Sequence, residues 1–534
     1  MGTSHPLSAP GRRRAVVVGA GVAGLSAAGW LARAGWQVQL LEAADAPGGK
    51  LGTVTVGDQP LDAGPTVLTL RWVFEAWFEA LGLSMADTLT LQRCEVLARH
   101  AWRRGEQLDL LADLDASVAA IADFSGAQQA NRYRAFCERA REIYQTLEQP
   151  FLCQPRPNPL SLAWRCGWRQ WPALARISPF ATLWQALGAY FPDPRLRQLF
   201  GRYATYCGSS PFTAPATLML VAHVERDAVW QVAGGLQALR QAMVQAVLAQ
   251  GVQLRLGCAV SELQPAADGL CAVHLANGER LPPQVVVFCG DVAALHTGAL
   301  GLALQQALAP GGVPAHAADP ARRSLSAVTW HVQAEASGMA LSHHNVFFSD
   351  PLHDGYRAEF ATIAQGGLPA QPTVYLCAQD RPALRTPGPA GPRAPERLMC
   401  LVNAPALADR QPLSEEALAR CEEQMWARLA QAGLKLRPTT PALRRTPADF
   451  ALRYPATGGA LYGGATTGWR SSFQRPGSRT RLPGLYLAGG SVHPGPGLPM
   501  AALSGQLAAR QVLADCPSTP QWHPVVMPGG TSTP

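Results

Sequence analysis

Residues 15–24 read Ala-Val-Val-Val-Gly-Ala-Gly-Val-Ala-Gly. A β-branched apolar run feeds directly into Gly19-x-Gly21-x-x-Gly24. A helical pattern follows from Leu25 to Arg33, then a second apolar strand, Val38 to Leu41, ending in Glu42. Strand, glycine turn, helix, strand and acid in this order predict a Rossmann-type α/β unit, with a parallel sheet and crossover helices. Gly19 permits the tight turn, Gly21 lets the backbone approach a pyrophosphate, and Gly24 lets the helix pack on its strand. The helix N-terminus then offers unpaired N–H groups to phosphate. Glu42 can accept hydrogen bonds from a ribose diol, and its charge disfavours the 2′-phosphate of NADP. A ligand-free glycine turn would account for the three glycines but not for both strands and the acid around them.

Two further blocks extend the pattern. Glu42 is followed by Gly48-Gly49-Lys50, Thr53 and Asp62-Ala-Gly64-Pro65-Thr66. Near the C-terminus a short apolar strand runs into Gly489-Gly490, then Ser-Val-His493-Pro-Gly-Pro-Gly497-Leu-Pro499-Met500, with a helical pattern from Ala501 to about Leu513. Proline suits a first helical turn, where its missing N–H has no partner to lose. Together these blocks resemble the extended fingerprint of the two-domain flavoprotein oxidoreductases, a group that includes amine oxidases, protoporphyrinogen oxidases and carotenoid desaturases. The resemblance implies FAD. It places Gly48 and Gly49 near the flavin diphosphate with Lys50 adding charge, and it assigns Gly64, Pro65 and Thr66 to the same cofactor block. Gly489, Gly490, Pro499 and Met500 are implied at the flavin ring, where the positive helix N-terminus faces the N1/C2=O edge. The backbone at Val260 is implied to meet adenine.

With 534 residues the chain is long enough for two domains. The implied layout assembles the FAD-binding domain from residues 13–70, 216–299 and 446–515. An α+β substrate domain takes 71–215 and 300–445 and includes a helical part in contact with a membrane. Residues 1–12 and 516–534 are expected to be flexible tails, and Arg381–Arg397, rich in Pro and Gly, a mobile loop. Residues 71–215 read as mostly helical, with helices at Trp72–Leu81 and Asn131–Gln149. Strands are expected at Ser326–Gln333, Asn345–Ser349 and Thr373–Ala378, and a hairpin turns at Asn277-Gly278.

No apolar run approaches the roughly 18 residues that a spanning helix needs. The polar, basic Met1–Arg14 lacks the hydrophobic stretch of a secretory signal, so a cytoplasmic protein is expected. The 12 cysteines form no C-x-x-C pair. They read as reduced core residues, and no metal site is expected. Net charge is +8, which suits an anionic neighbour. No nucleic-acid module is present. Trp164, Trp168, Trp171 and Trp184 interleave with Arg165, Arg169 and Arg176. That mixture suits a lipid headgroup layer and equally a helical cap over the core.

Gly489-Gly490-Ser-Val-His493-Pro-Gly-Pro-Gly-Leu-Pro499, Tyr206-Cys-Gly-Ser-Ser-Pro211-Phe-Thr-Ala-Pro215 and Val229-Trp-Gln-Val-Ala-Gly234-Gly235 are similar to motifs of bacterial carotenoid desaturases. The resemblance spans roughly residues 13–515. Gly489-Gly490 replaces the Gly-Asp or Gly-Glu of amine oxidases and speaks against an amine substrate. Leu498-Pro499-Met500 is closer to the hydroxyneurosporene (methoxyneurosporene) 3,4-desaturase branch than to phytoene desaturases. The resemblance thus implies an acyclic carotenoid substrate, hydride transfer to flavin, oxygen or a quinone as electron acceptor, and peripheral attachment to an inner, photosynthetic membrane. Phytoene desaturation, carotenoid cis–trans isomerisation and non-catalytic carotenoid carriage remain alternatives. His493 is the best positioned candidate base, with a purely structural role for its ring as the competing reading, and Asp291, ending a buried strand, reads as a cap or hydrogen-bond partner rather than a base.

Overall fold

Five parallel strands continue from the glycine motif. Their order is Leu485–Leu487, Val285–Phe288, Arg14–Val18, Gln37–Leu41 and Gln253–Arg255. Residues from both ends of the chain and from its middle therefore share one sheet, with Val17 beside Val287 and Val287 beside Tyr486. Val285–Phe288 is buried throughout, which explains its unbroken apolar sequence, since a central parallel strand is covered on both faces. The computed structural model describes residues 13–102, 105–177, 180–267, 269–309, 319–351, 354–382 and 395–517.

The Val22–Arg33 helix packs on this sheet between the Leu498–Asp515 and Leu236–Ala249 helices. Its contact with the C-terminal helix is backbone-close: a Cβ at Gly505 would lie 2.3 Å from the Ala23 carbonyl oxygen. A three-stranded antiparallel ribbon, Val260–Ala266, Gly269–Leu275 and Arg280–Leu281, follows the last sheet strand. Its turn falls at Asn277-Gly278 as expected, with Gly278 at φ +87°.

A second, mixed sheet runs Leu434–Pro438, Ser326–Gly338, Glu396–Ala404, Val374–Ala378, His344–Phe347, Val96–Ala101 and Gln107–Leu111, with Leu443–Arg445 also on Ser326–Gly338. Val96–Ala101 and Gln107–Leu111 lie inside the segment that reads as helical. Val96–Ala101 is almost wholly buried, so its sequence lacks the polar alternation that marks a half-buried strand. It pairs in parallel with His344–Phe347, and Arg99 clamps the neighbouring strand through a two-point ion pair with Asp109, 2.7 Å at the closer pair.

Helices Leu114–Ser125, Ala127–Leu147, Leu183–Tyr190, Pro194–Gly201 and Leu220–Asp227 form a layer that packs on the edge strand Gln107–Leu111. Phe136, Phe191 and Phe200 cluster there with ring centroids 4.6–5.2 Å apart. One hydrophobic core runs from this layer into the parallel sheet. Among the described residues no helix is long and apolar enough to cross a membrane. The expected N-terminal tail, residues 518–534 and most of the Arg381–Arg397 loop lie outside the described residues. Cys516 and Pro517, placed in the tail by sequence, accept hydrogen bonds from the Arg13 guanidinium.

Candidate active site

The carboxyl ends of three adjacent parallel strands converge. Gly19 follows Val18, Cys289-Gly290 follows Phe288, and Ala488-Gly489 follows Leu487. Cβ atoms placed on Gly19 and Gly489 would both lie within 3.6 Å of Cys289. This crevice outside the strand ends is where open α/β sheets bind ligands. The three motif glycines have different reasons to be glycine. Gly19 holds φ +99°. A Cβ on Gly24 would strike the Gly19 carbonyl oxygen at 1.9 Å, whereas one on Gly21 would meet nothing nearer than Gly49 at 3.9 Å. Gly24 is therefore demanded by packing, whereas a Cβ on Gly21 would make only ordinary contact with Gly48 and Gly49.

Gly48 and Gly49 lie directly against the first glycine loop, with Gly48 bridged to Gly21. The Gly48 N–H donates to the Ala20 carbonyl (2.8 Å), and a Cβ on Gly49 would lie 3.2 Å from the Gly21 Cα. Two backbone loops face each other with no side chain between them, beside a helix N-terminus. That cradle fits a pyrophosphate. Glu42 organises it: one carboxylate oxygen accepts from the Ala20 N–H (2.8 Å), the other from the Ala44 N–H (3.1 Å). Each oxygen keeps a lone pair for a diol. The Glu42 carbonyl accepts from Cys258 N–H (2.8 Å), which brings half-buried Val260 beside the same strand end.

Lys50 does not stand as a free counter-charge. Its ammonium donates to the Leu461 carbonyl at 2.5 Å and sits 5.2 Å over the Tyr454 ring. Burial lowers its pKa, against the raising influence of Asp291. Gly64 is packed so tightly on Lys50 that a Cβ would fall 1.9 Å from the Lys50 carbonyl oxygen. After half-buried Pro65, Thr66 turns towards the second sheet, its hydroxyl 2.6 Å from that of Tyr375.

At the other end of the crevice the Gly489 N–H donates to Ser504 Oγ (3.1 Å). The last helix starts at Leu498, three residues before the sequence pattern placed it, with Gly497 at φ +122° and Pro499 in the first turn. Half-buried Met500 lies beside Pro499. Arg475, which no motif flagged, holds this region together. It donates to the carbonyls of Tyr462 (3.2 Å), Gly464 (2.7 Å) and Gly490 (2.9 Å).

His493 is corrected here. Its ring is 1% exposed, and Nε2 lies 2.9 Å from the Phe151 carbonyl and 3.0 Å from that of Gln154. Two acceptors require a proton on Nε2. Nδ1 is buried with no partner. Burial pushes the ring's pKa down to about 4, which makes it a weak base. His493 is a hydrogen-bonding post for the loop, not the proton acceptor. Asp291, read as a cap, is one: its carboxylate accepts from Ala293 N–H (3.0 Å).

Between the two sheets lies a buried polar network that sequence reasoning missed. Glu225 accepts from the hydroxyls of Tyr203 (2.5 Å) and Tyr206 (2.7 Å). Arg202 donates to Tyr206 (3.3 Å) and its guanidinium sits over the rings of Tyr206 and Tyr375 at 5.2 and 5.1 Å. Burial raises the pKa of Glu225, while the two tyrosines and Arg202 draw it back. Tyr375 continues the chain to Thr66 and to His344 Nδ1 (2.7 Å). Nearby, Asp62 caps the Leu236–Ala249 helix through the N–H groups of Leu236 (2.6 Å) and Gln237 (3.2 Å). A cavity of about 270 Å³ opens here, lined by Asp62, Thr66, Trp230, Gln231, His343 and Cys377 among others.

The tryptophan–arginine segment has two faces: Leu162 and Ile177 join the core and Cys166, Leu174 and Trp184 pack against it, while the other tryptophans face outward. Trp164, Trp168 and Trp171 are 82%, 72% and 57% exposed, and Leu160 and Phe180 beside them 83% and 78%.

Residues 22–513 match the model of the family described as flavin containing amine oxidoreductase. The chain is 50% identical to a hydroxyneurosporene desaturase of Rubrivivax gelatinosus, over 97% of each chain. It is 44% identical to one of Cereibacter sphaeroides, over 95% of this chain and 98% of that one. A putrescine oxidase structure (a triple mutant with redesigned cofactor binding) superposes with a TM-score of 0.61 at 16% identity, covering 94% of this chain and 99% of that one. The glycine cradle, the crevice between three strand ends and these likenesses agree: the chain belongs to the flavin-containing amine oxidoreductases, on their carotenoid-desaturase branch.

Proposed function

We propose that this protein dehydrogenates the C3–C4 bond of a 1-hydroxylated or 1-methoxylated acyclic carotenoid, with FAD as its cofactor, while attached to the surface of an anionic inner membrane. The observation that carries this reading is the near-full-length likeness to hydroxyneurosporene desaturases. Gly21, Gly48 and Gly49 would hold the diphosphate and Glu42 the ribose. The backbone near Val260 would meet adenine, and the loop at Gly489 and Gly490 with the helix start at Pro499 and Met500 would meet the ring. Bound there, FAD supplies a hydride acceptor. C4 of such a substrate is allylic to a long polyene, so loss of hydride from C4 leaves a delocalised cation, and loss of a proton from C3 completes the double bond.

The protein's part is register. A misplacement of about 1 Å can cost ~100-fold in rate, so the protein must stop the pigment with one carbon pair at the flavin. Met500, in the first turn of the last helix, is suited to form that stop. Trp164, Trp168 and Trp171 offer a surface from which an apolar pigment could be taken up without crossing water. Tryptophan prefers the headgroup level, and Arg165 and Arg169 lie between them in sequence.

The test offers phytoene and 1-hydroxyneurosporene separately to the flavin-loaded enzyme in anionic liposomes. The expected product comes from the hydroxylated substrate, two hydrogens lighter and absorbing at longer wavelength. Efficient conversion of phytoene alone would replace the substrate assignment. An unchanged mass with a changed isomer would make the protein an isomerase. Binding without anaerobic bleaching of the flavin would make it a carrier.

A further inference from the structure

His344 and Cys377 are direct partners across the antiparallel strands His344–Phe347 and Val374–Ala378, and His343 immediately precedes the first of these. All three are buried, and one donor atom from each lies within 4.8 Å of the others. The Cys377 Sγ to His343 Nε2 separation is 3.7 Å. A tetrahedral zinc ion with Zn–S of ~2.3 Å and Zn–N of ~2.05 Å spans a ligand–ligand edge of about 3.5 Å. The spacing is thus already that of two ligands on one ion.

The surroundings match as well. A metal-bound imidazole ordinarily has its second nitrogen fixed by a hydrogen bond. His343 Nδ1–H can donate to the Arg381 carbonyl (3.2 Å), and His344 Nδ1–H to the Tyr375 hydroxyl oxygen (2.7 Å). Both rings are therefore held through Nδ1, which leaves Nε2 as the donor. His343 and Cys377 line the cavity of about 270 Å³, so water can reach a fourth position from that side.

We propose that His343, His344 and Cys377 form a binding site for a thiophilic divalent cation, Zn²⁺, with a cavity water as fourth ligand. Thiolate and imidazole donors together select this class of ion over Mg²⁺ or Ca²⁺. On binding, the Cys377 thiol releases its proton to solvent and a Zn–S bond forms, while both imidazoles bind as neutral donors. The ion would clamp two neighbouring strands of the second sheet next to Tyr375, and thereby the end of the polar network that reaches Thr66.

The flavin-loaded protein is stripped with a chelator, desalted, and titrated with Zn²⁺ against a chromophoric competitor, then separately with Co²⁺. One equivalent is expected to bind, and the cobalt form should show a thiolate-to-cobalt charge-transfer band with intense tetrahedral d–d absorption. Cys377→Ser should abolish the charge-transfer band and weaken Zn²⁺ by at least about 100-fold, with flavin content and circular dichroism unchanged. If that variant fails to fold, Tyr375→Phe, which removes the His344 partner, should keep the band and weaken the ion by about 10- to 100-fold. Absence of a charge-transfer band in the wild type, or the same band in Cys377→Ser, would overturn the site.

Discussion

The correction at His493 has a measurable consequence in acid. In the folded protein the ring stays neutral down to about pH 4, because burial disfavours the cation and Arg156 and Arg165 add to that effect. In the unfolded chain it titrates near the ordinary histidine value of ~6.5. The unfolded state therefore gains a proton first. Stability is intact above about pH 6.5 and is lost as the pH falls towards 4. At ~1.36 kcal/mol per pKa unit, this one ring costs about 2 kcal/mol at pH ~5 and about 3 kcal/mol below pH ~4. His493→Gln removes the titration. Near pH 7.5 it should itself cost ~1–2 kcal/mol, because the buried ring's edge-on contact with Phe151 and its packing are lost. The variant's deficit should then shrink on acidification and vanish near pH 5. Urea midpoints of wild type and variant at both pH values, with m-values compared, would show the convergence. A deficit that stays constant or grows between pH ~7.5 and ~5 would refute the reasoning, because the ring would then not be held neutral. A desaturation rate in His493→Gln that falls in proportion to folded protein, with an unshifted pH profile, is the matching expectation for a hydrogen-bonding post.

Gly21→Val should abolish FAD binding, read by flavin absorbance after gel filtration, while lowering the thermal transition of the flavin-free protein less than Gly24→Ala does, because a Cβ on Gly21 meets backbone only at 3.9 Å or more. Gly24→Ala should do the reverse, destabilising the flavin-free fold by roughly 3 kcal/mol or more, since a contact of 1.9 Å with backbone cannot be relieved by a rotamer. Asp62→Ala should cost ~1–2 kcal/mol by uncapping the Leu236–Ala249 helix, measurable as a lower urea midpoint. Replacing Trp164, Trp168 and Trp171 together by Ser should move the protein from pelleted anionic liposomes to the supernatant with its thermal transition intact, and aggregation of the variant would count against the exposed-surface assignment.

The sequence was most legible where one local cause forces the residue type. Gly19, Gly24 and Gly64 are fixed by a positive φ or by backbone contacts under 2 Å, and such constraints leave the same mark in any chain that makes them. The parallel strands were readable for a related reason: Val285–Phe288 is covered on both faces, so its residues are uniformly apolar. Legibility failed where the cause is assembled from a distance. Val96–Ala101 is tied to the rest of its sheet through His344–Phe347, with Asn345, distant in the chain, beside Arg99, and near-complete burial erased its alternation. Arg475 satisfies three carbonyls on two different loops, and the Glu225–Tyr206–Arg202–Tyr375–Thr66 network draws on four segments. Each of those side chains is ordinary in its own sequence window.

The cysteines show the same limit from the other direction. A search for paired spacing finds nothing at Cys377, because its partners His343 and His344 come from the neighbouring strand rather than from the same turn. Strand pairing brings positions 344 and 377 face to face as closely as a C-x-x-C turn would, with no local signature. Metal and polar sites built across a sheet are therefore invisible to spacing rules, whereas phosphate cradles, built from consecutive backbone, announce themselves. The flavin half of this site is of the second kind. The Glu225–Tyr206–Arg202–Tyr375 network, built from single residues of several segments, is of the first.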